Sequence, residues 1–260
     1  MIAPPWAQAH NPSPGLYDGL VALLVGLLIV LLMASPYLAA QAVVSYVRSK
    51  ALRRRRKLAD WAAAHQLGFD ERKDSDLSER FPGMYCLRMA LGPFALNVMQ
   101  GRWGGRAVLA FDYCYPAFQR SRRTCDFSAV IAPSDAALQQ LFIRPKRFSD
   151  TTSDIFGVGD IEFESAEFNR KFCVRAAGKR WAYDVIHPRM MEFLLAAPLF
   201  TIQLGAGGVI CYRDTLFRPA DFEDACRLAC GIMDRLPPYV LDAHRPQISG
   251  PDQRQETDDL

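Results

Sequence analysis

A long uncharged apolar stretch that ends in a dense basic run constrains this chain more than any other feature of its sequence. Residues 1–47 contain no Lys or Arg, whereas residues 48–57 contain seven. An α-helix rises about 1.5 Å per residue, so about 20 apolar residues cross a hydrocarbon core of about 30 Å. Residues 16–38 have that length, and Tyr17 and Tyr37 flank them as interfacial aromatic residues do. The pattern predicts a transmembrane helix over residues 16–40.

The position of the basic residues predicts the orientation of this helix. A cleavable signal peptide has its basic residues before the apolar run and small residues at a cleavage site after it. Here the basic residues follow the run, although Ala34, Ala39 and Ala40 resemble a cleavage site, so processing stays an alternative. The positive-inside rule places the basic run in the cytoplasm. We therefore predict a single-pass protein of the inner (cytoplasmic) membrane, with its N-terminus outside and its C-terminal domain cytoplasmic.

The basic run has two compatible interpretations. It stops transfer and sets orientation, and it contacts anionic lipid headgroups, where each basic residue near the surface contributes about 1 kcal/mol. After Lys57 the chain has 24 Lys and Arg (31 less the seven above) against 27 Asp and Glu (28 less Asp18). Nucleic acid is excluded as a partner, because a nucleic-acid-binding domain carries its basic surface on the fold itself. We predict the membrane, anionic headgroups and an unidentified protein as partners, with the lipid contacts at Arg53, Arg54, Arg55, Arg56 and Lys57.

The cysteines indicate the compartment. An odd number without a CxxC pair predicts free thiols in a reducing cytosol rather than a disulfide framework. Cys226 and Cys230 lie four residues apart on one face of a predicted helix, but a zinc site needs two more ligands, so we interpret them as core residues. We expect no metal and no cofactor. The seven cysteines are Cys86, Cys114, Cys125, Cys173, Cys211, Cys226 and Cys230.

Composition divides the chain into five parts. Residues 1–15 are Pro-rich and predicted to be disordered outside the cell, and residues 16–40 form the transmembrane helix. Residues 41–68 continue as a basic juxtamembrane linker helix in which Leu58, Trp61 and Ala62 share one face. Residues 69–241 form the cytosolic domain, either as one domain or as two subdomains that divide near residues 145–160. Residues 242–260 form a polar tail that is predicted to be disordered.

Apolar runs separated by turn signals predict three antiparallel hairpins. They pair residues 94–102 with 107–115 around Gly104 and Gly105, residues 172–176 with 181–185, and residues 200–204 with 209–213 around the glycine-rich residues 205–208. Further strands are predicted at residues 124–131, 141–144 and 161–163. Helices are predicted at residues 189–197, after Pro188, and at residues 219–236. Without βαβ alternation, the fold class is α+β, with antiparallel hairpins and packed helices.

The sequence has no strong catalytic motif, since it lacks a P-loop, an HExxH zinc motif and a GxSxG elbow. The weak catalytic candidates are Asp184 and His187, with Arg189 beside them, because a carboxylate can orient an imidazole as a general base. His187 also directly precedes Pro188, which suits the first position of a helix. We therefore favour a structural role for His187 as the N-cap of that helix.

Two further clusters have both a chemical and an ordinary interpretation. Carboxylates alternate with apolar residues over residues 160–164, which favours a solvated face over acid–base chemistry. An aromatic and basic loop has two interpretations. It contacts lipid headgroups or an acidic partner, or it carries only ordinary surface charge. The carboxylates are Asp160, Glu162 and Glu164, and the loop residues are Tyr113, Tyr115, Phe118, Arg120, Arg122 and Arg123.

Three segments resemble a family of uncharacterised bacterial membrane-anchored proteins. They are Arg-Phe-Pro-Gly at residues 80–83, Phe-Asn-Arg-Lys-Phe-Cys-Val at residues 168–174, and the segment from Ala182 to Leu194 that contains His187-Pro188-Arg189. The resemblance covers residues 45–240. It implies a membrane anchor joined to a cytosolic domain of unknown function, and it implies no activity, cofactor or catalytic residue.

These observations predict a single-pass, membrane-anchored cytosolic binding or scaffolding module rather than an enzyme. One alternative is a membrane-associated enzyme with its site around Asp184, His187 and Arg189. Another is a lipid-surface sensor that uses the basic helix.

Overall fold

The computed structural model describes residues 15–88, 92–115, 124–146 and 160–243. The chain divides into two compact units, Met1–Arg54 and Arg55–Leu260. The helices are α1 (Leu16–Ala64), α2 (Leu77–Arg80), α3 (Ala166–Lys171), α4 (Lys179–Val185), α5 (Pro188–Ala196), α6 (Pro219–Arg235) and α7 (Pro238–Ala243). The strands are β1 (Gly68–Asp70), β2 (Phe94–Trp103), β3 (Arg106–Tyr115), β4 (Thr124–Pro145), β5 (Phe172–Ala176) and β6 (Thr201–Arg213). Residues 1–15 and 242–260 are the two segments predicted to be disordered, and of these only Gly15, Asp242 and Ala243 lie among the described residues.

The first unit contains the apolar part of α1. Within the described ranges, α1 is the one helix long and apolar enough to cross a membrane. It continues through Pro36, which supplies no backbone donor. Its apolar side chains, for example those of Leu23 and Leu32, are exposed. A helix that is apolar all round and has no protein packed against it is typical of a membrane span.

The second unit contains one antiparallel sheet of six strands, which confirms the α+β class. The strand order is β1-β2-β3-β4-β5, and β6 pairs with β4. Ile131 in the first half of β4 pairs with β3 on one side and β6 on the other, and Ile143 in the second half pairs with β5 and β6. Strands β3 and β5 therefore lie along one side of β4, and β6 lies along the other.

The first predicted hairpin is confirmed. Strands β2 and β3 pair from Trp103 and Arg106 to Phe94 and Cys114. Gly104 and Gly105 connect them with φ values of 56° and 87°. Two consecutive residues with positive φ form the turn that matches the right-handed twist of the strands, and glycine adopts it without steric cost.

The third predicted hairpin is wrong, because residues 200–204 and 209–213 belong to the continuous strand β6. The predicted strands at residues 124–131 and 141–144 likewise belong to the single strand β4. These two long strands pair with each other through two register shifts between Ser134 and Leu141. Arg213 at the end of β6 donates a 2.7 Å hydrogen bond to the carbonyl of Leu199, just before the strand begins. Thirteen extended residues would separate the two ends by about 40 Å, so β6 is bent back on itself.

The glycines of residues 205–208 permit this bend and a close backbone approach. Gly207 and Gly208 have φ values of 105° and 127°. A Cβ on Gly208 would overlap the carbonyl of Ala132 in β4, and a Cβ on Gly83 would overlap the backbone of Ala206. The glycine-rich segment that predicted a turn is instead the place where β4, β6 and residues 81–83 come together.

The second predicted hairpin is half right. Residues 172–176 form β5, but residues 181–185 lie in helix α4 rather than in a strand. Trp181, Ala182 and Val185 are buried, which is the spacing of one helical face. Residues 161–163 are irregular rather than a strand, although Ile161 donates a backbone hydrogen bond to Val174 of β5.

Apolar residues pack on both faces of the sheet. On one face lies α6, whose residues Phe222, Cys226 and Ala229 are fully buried, as the predicted periodicity requires. On the other face the segment that includes α2 covers β2, β3 and β4, with Leu77 and Met84 fully buried. Burying an aliphatic or aromatic side chain of this size stabilises the fold by about 1.5–3 kcal/mol.

Candidate functional site

The predicted lipid-contact residues lie in α1, where the chain passes from the first unit to the second. Arg53, Arg56 and Lys57 are exposed, whereas Arg54 and Arg55 are half-buried. Arg55 forms a 2.8 Å ion pair with Glu71, which follows β1. The five cations therefore do not form one uniform surface, and the exposed ones are those available to an external anion.

The next turns of α1 are packed into the second unit through aromatic contacts. The Trp61 ring lies 6.1 Å from that of Trp103 in β2 and 5.8 Å from that of Phe222 in α6, between ring centroids. The His65 ring lies between the two indoles, with centroids 4.7 Å from Trp61 and 5.0 Å from Trp103. Leu58 is fully buried beside them. The sequence predicted the buried face of this helix, but it did not predict Trp103 or Glu71 as partners.

His187 is the N-cap of α5, as its position before Pro188 predicted. The backbone N–H of Met190 donates to Nδ1 of His187 at 3.3 Å. Nδ1 is therefore an acceptor, so Nε2 carries the ring proton and donates it to the carbonyl of Arg235 at 3.0 Å. The imidazole thus gives the Met190 N–H a second acceptor beside the His187 carbonyl, which lies 2.9 Å from it, and it donates to a carbonyl at the end of α6.

Asp184 does not orient the imidazole. Its carboxylate accepts a 3.1 Å hydrogen bond from the hydroxyl of Tyr239 in α7, and no hydrogen bond between Asp184 and His187 occurs in the described part of the chain. Arg189 is exposed on the first turn of α5. The three candidate residues lie close together in the sequence, but Asp184 and His187 bond to different partners and Arg189 is exposed.

The cavity found in the second unit lies elsewhere. It has a volume of about 360 Å³ and lies beside α2. None of the residues proposed as catalytic lines it. Its lining residues are Ser78, Glu79, Pro82, Leu87, Arg88 and Pro93.

The described cysteines are mostly buried thiols. Cys226 and Cys230 are packed in the core, and the Cys230 sulfur lies 3.7 Å from the carbonyl oxygen of Trp103. Burial raises the pKa of Cys230 to about 11, and the nearby Asp234 carboxylate adds to the effect. Burial also raises the pKa of Cys211 and Cys226 far above the usual range. Such thiols are neutral near pH 7 and are poor nucleophiles and metal ligands. No group of three or more metal-ligating side chains occurs among the described residues.

Cys114 corrects the expectation that every cysteine is free, since it is disulfide-bonded. The register of β3 and β4 places Cys125 opposite it. The free thiols are Cys86, Cys173, Cys211, Cys226 and Cys230.

The carboxylate cluster and the aromatic and basic loop have mainly structural contacts in the part of the chain that the structure describes. Asp160 forms a 2.9 Å ion pair with Arg175, and Glu162 and Glu164 are exposed. Tyr113 and Tyr115 point into the fold, with their hydroxyls donating to the carbonyls of Leu87 and Cys86. Phe118, Arg120, Arg122 and Arg123 lie outside the described residues.

Comparison with known proteins supports the fold and no more. No family model matches the sequence, and no curated protein matches it. The fold resembles the crystal structure of the mycobacterial trehalose monomycolate transport factor A, TtfA, with a TM-score of 0.53 and 16% sequence identity. The match covers 71% of this chain and 96% of that chain. An apolar N-terminal helix joined to an α+β unit is consistent with the family resemblance of residues 45–240, and the family itself stays a prediction.

Proposed function

We propose that this protein is a non-catalytic binding or scaffolding module, held at the inner membrane by α1 with its N-terminus outside and its second unit in the cytoplasm. The observation that carries the proposal is that one helix contains both the apolar stretch and the packed residues from Leu58 to Ala62. The basic run between them supports the orientation through the positive-inside rule. The module would act by holding a partner close to the bilayer.

The geometry around His187 favours a binding module over an enzyme. A general base needs a ring nitrogen free to take a proton from a substrate. Both ring nitrogens of His187 are engaged with backbone groups, and Asp184 is hydrogen-bonded to Tyr239. The name of TtfA describes a transport factor. By analogy with that name alone, we propose that the partner is a component of a membrane transport system.

Affinity capture tests this proposal. The full chain would be captured from detergent-solubilised membranes, and its partners identified by mass spectrometry. The matched control is residues 1–57 joined to an unrelated soluble protein, which keeps the anchor and lacks the second unit. We expect an integral membrane transport protein that is enriched with the full chain and absent from the control. Recovery of the same proteins from both samples would contradict the proposal.

We also propose that the exposed cations of the basic run bind anionic headgroups. Each basic residue near an anionic surface contributes about 1 kcal/mol, which is about a fivefold change in affinity. The triple variant Arg53→Gln, Arg56→Gln, Lys57→Gln should therefore retain much less phosphatidylglycerol in native mass spectrometry of the detergent-extracted protein. The control is Lys179→Gln with Arg180→Gln, which removes exposed charge from α4. Equal lipid retention by both variants would contradict the headgroup contact.

A further inference from the structure

The cavity beside α2 is lined by two exposed side chains of opposite charge. Glu79 belongs to α2, and Arg88 directly follows the short helical turn Tyr85–Leu87. The volume of the cavity, about 360 Å³, lies within the range of about 300–1,000 Å³ that is typical of small-molecule sites. We call this cavity the α2 cleft.

The two charged groups of the α2 cleft do not neutralise each other. The Arg88 guanidinium donates to the carbonyl of Pro82 at 3.5 Å, a long and therefore weak hydrogen bond that leaves most of its N–H groups unused. No ion pair or side-chain hydrogen bond of Glu79 occurs in the described part of the chain. Arg80, the basic residue next to Glu79, is ion-paired with Asp74 instead. The Glu79 carboxylate and the Arg88 guanidinium are therefore available to a ligand.

The rest of the lining is mainly apolar. Pro82, Leu87 and Pro93 line the α2 cleft, and Ser78 adds a hydroxyl group. Apolar walls with a few polar groups at fixed positions are typical of sites that bind small organic molecules.

The α2 cleft is held in place by the sheet. Asp74, which precedes α2, exchanges backbone hydrogen bonds of 3.0 and 2.7 Å with Ala95 of β2. Leu77 of α2 is fully buried, and the carbonyl of Leu87 accepts a 2.7 Å hydrogen bond from the hydroxyl of Tyr113 in β3. The walls are therefore formed before a ligand arrives, which lowers the entropy cost of binding.

We propose that the α2 cleft binds a small zwitterion, a molecule with one ammonium group and one carboxylate or phosphate group. The ammonium group donates to the Glu79 carboxylate. The anionic group accepts from Arg88, whose planar guanidinium binds carboxylates and phosphates through two parallel hydrogen bonds. The carbon skeleton contacts Pro82 and Pro93. A ligand with a single charge would leave the other charge of the cleft without a partner.

Two kinds of small molecule have this chemistry. Free amino acids carry an ammonium group and a carboxylate, and glycerophosphoethanolamine, the polar part of a zwitterionic lipid, carries an ammonium group and a phosphate. The proposal goes beyond the proposed function and does not depend on α1 being a membrane anchor.

Titration calorimetry of the full chain in detergent tests the site. The titrants are the standard amino acids, each tested separately, and glycerophosphoethanolamine. Glu79→Gln and Arg88→Gln each remove one charge of the α2 cleft. The matched controls are Glu164→Gln and Arg189→Gln, which remove exposed charges that do not line the cleft. Melting temperatures establish that all of these proteins are folded.

We expect at least one of these zwitterions to bind, with an affinity that each cleft variant lowers at least about tenfold and that the control variants leave unchanged. An analogue of the bound zwitterion that lacks its ammonium group or its anionic group should also bind at least about tenfold more weakly. Binding of either kind of titrant in this way supports the site, and the kind that binds identifies the anionic group as carboxylate or phosphate. The proposal would be overturned by no binding of any titrant at about 10 mM, by equal affinities of the cleft and control variants, or by undiminished binding of the singly charged analogues.

Discussion

At the scale of single residues, His187 shows how one side chain can look catalytic and be structural. Its ring joins the first turn of α5, where it is a second acceptor for the Met190 N–H, to the carbonyl of Arg235 at the end of α6. The two contacts use the two different nitrogens, one as acceptor and one as donor. An imidazole fits this position better than a shorter capping side chain, because only the ring reaches both helices.

Substitutions of His187 separate its two contacts. His187→Asn and His187→Ser should keep the cap and lose the hydrogen bond to Arg235, at a cost of about 1 kcal/mol. His187→Ala should lose both and cost about 1–3 kcal/mol. Urea unfolding of the full chain in detergent measures these changes, and complementation of a deletion strain should follow stability. If His187→Asn is as stable as the parent protein but does not complement, the enzyme alternative would replace the binding module.

Trp61 is the residue that joins the end of α1 to the second unit. It is 8% exposed, and its ring contacts aromatic residues from two other elements. Trp61→Ala should destabilise the second unit by about 3–5 kcal/mol, since it removes the transfer free energy of the indole and leaves a cavity. Trp61→Phe should lose less, because most of the ring contact remains. An unchanged melting temperature for Trp61→Ala would show that this part of α1 is not packed against the unit.

At the scale of elements, the bend in β4 and β6 gives the second unit its shape. The bend places the ends of β6 together, so that Phe200 and Phe217 pack against each other and against α6. The strands could not turn there with side chains at Gly83 and Gly208, because each would collide with a neighbouring backbone. The Arg-Phe-Pro-Gly segment at residues 80–83 therefore has a packing role: the carbonyl of Gly83 accepts hydrogen bonds from Gln140 and Gln203 at 2.7 and 2.8 Å.

Glycine-to-alanine substitutions test this account. Gly208→Ala places a residue with a side chain at a positive φ, and its Cβ would clash with the carbonyl of Ala132. The substitution should therefore destabilise the protein by at least about 2 kcal/mol. Gly178→Ala is the matched control, because nothing lies within 4 Å of the added Cβ and the φ of Gly178 is −147°. It should cost less than about 1 kcal/mol, the usual loss at a helix N-cap. Equal melting temperatures for the two variants would contradict the close approach of β4 and β6.

At the scale of the whole molecule, the orientation of α1 in the membrane determines the compartment of the second unit, and with it the partners that the unit can bind. The positive-inside rule predicts that this unit is cytoplasmic, where thiols are kept reduced. The structure has a disulfide at Cys114, which a cytoplasmic protein would not retain unless it were transient or redox-active. The membrane orientation of the second unit and the oxidation state of Cys114 should therefore be measured together.

Reporter fusions and thiol labelling together test the orientation. A reporter active only in the cytoplasm should work when fused after Leu260, and a reporter that requires the periplasm should fail. If the unit is cytoplasmic, the Cys114 disulfide of the structure should be reduced in the cell, and Cys114 should be alkylated in cells lysed in acid and then denatured. The opposite pair of reporter results, together with an oxidised Cys114, would reverse the topology.

The sequence by itself determined the features that depend on neighbouring residues. The apolar stretch of α1, the Gly104-Gly105 turn, the His187 cap and the buried face of α6 all follow from local spacing or from the conformational preference of one residue. These preferences act over a few residues and do not require the rest of the fold, so they can be predicted from the sequence alone.

Only the tertiary structure decided the features that depend on residues far apart in the chain. The sequence of residues 205–208 indicates a turn, but in the structure β4 pairs with β6 on both sides of these residues. The sequence of residues 181–185 indicates a strand paired with β5, but in the structure β5 pairs with β4. The ion pair of Arg55 with Glu71 and the edge contact of the Phe200 ring with the Phe217 ring arise in the same way. Long-range packing overrides weak local preferences because its free energy is summed over many contacts, and the identity of those contacts is set only when the chain has folded.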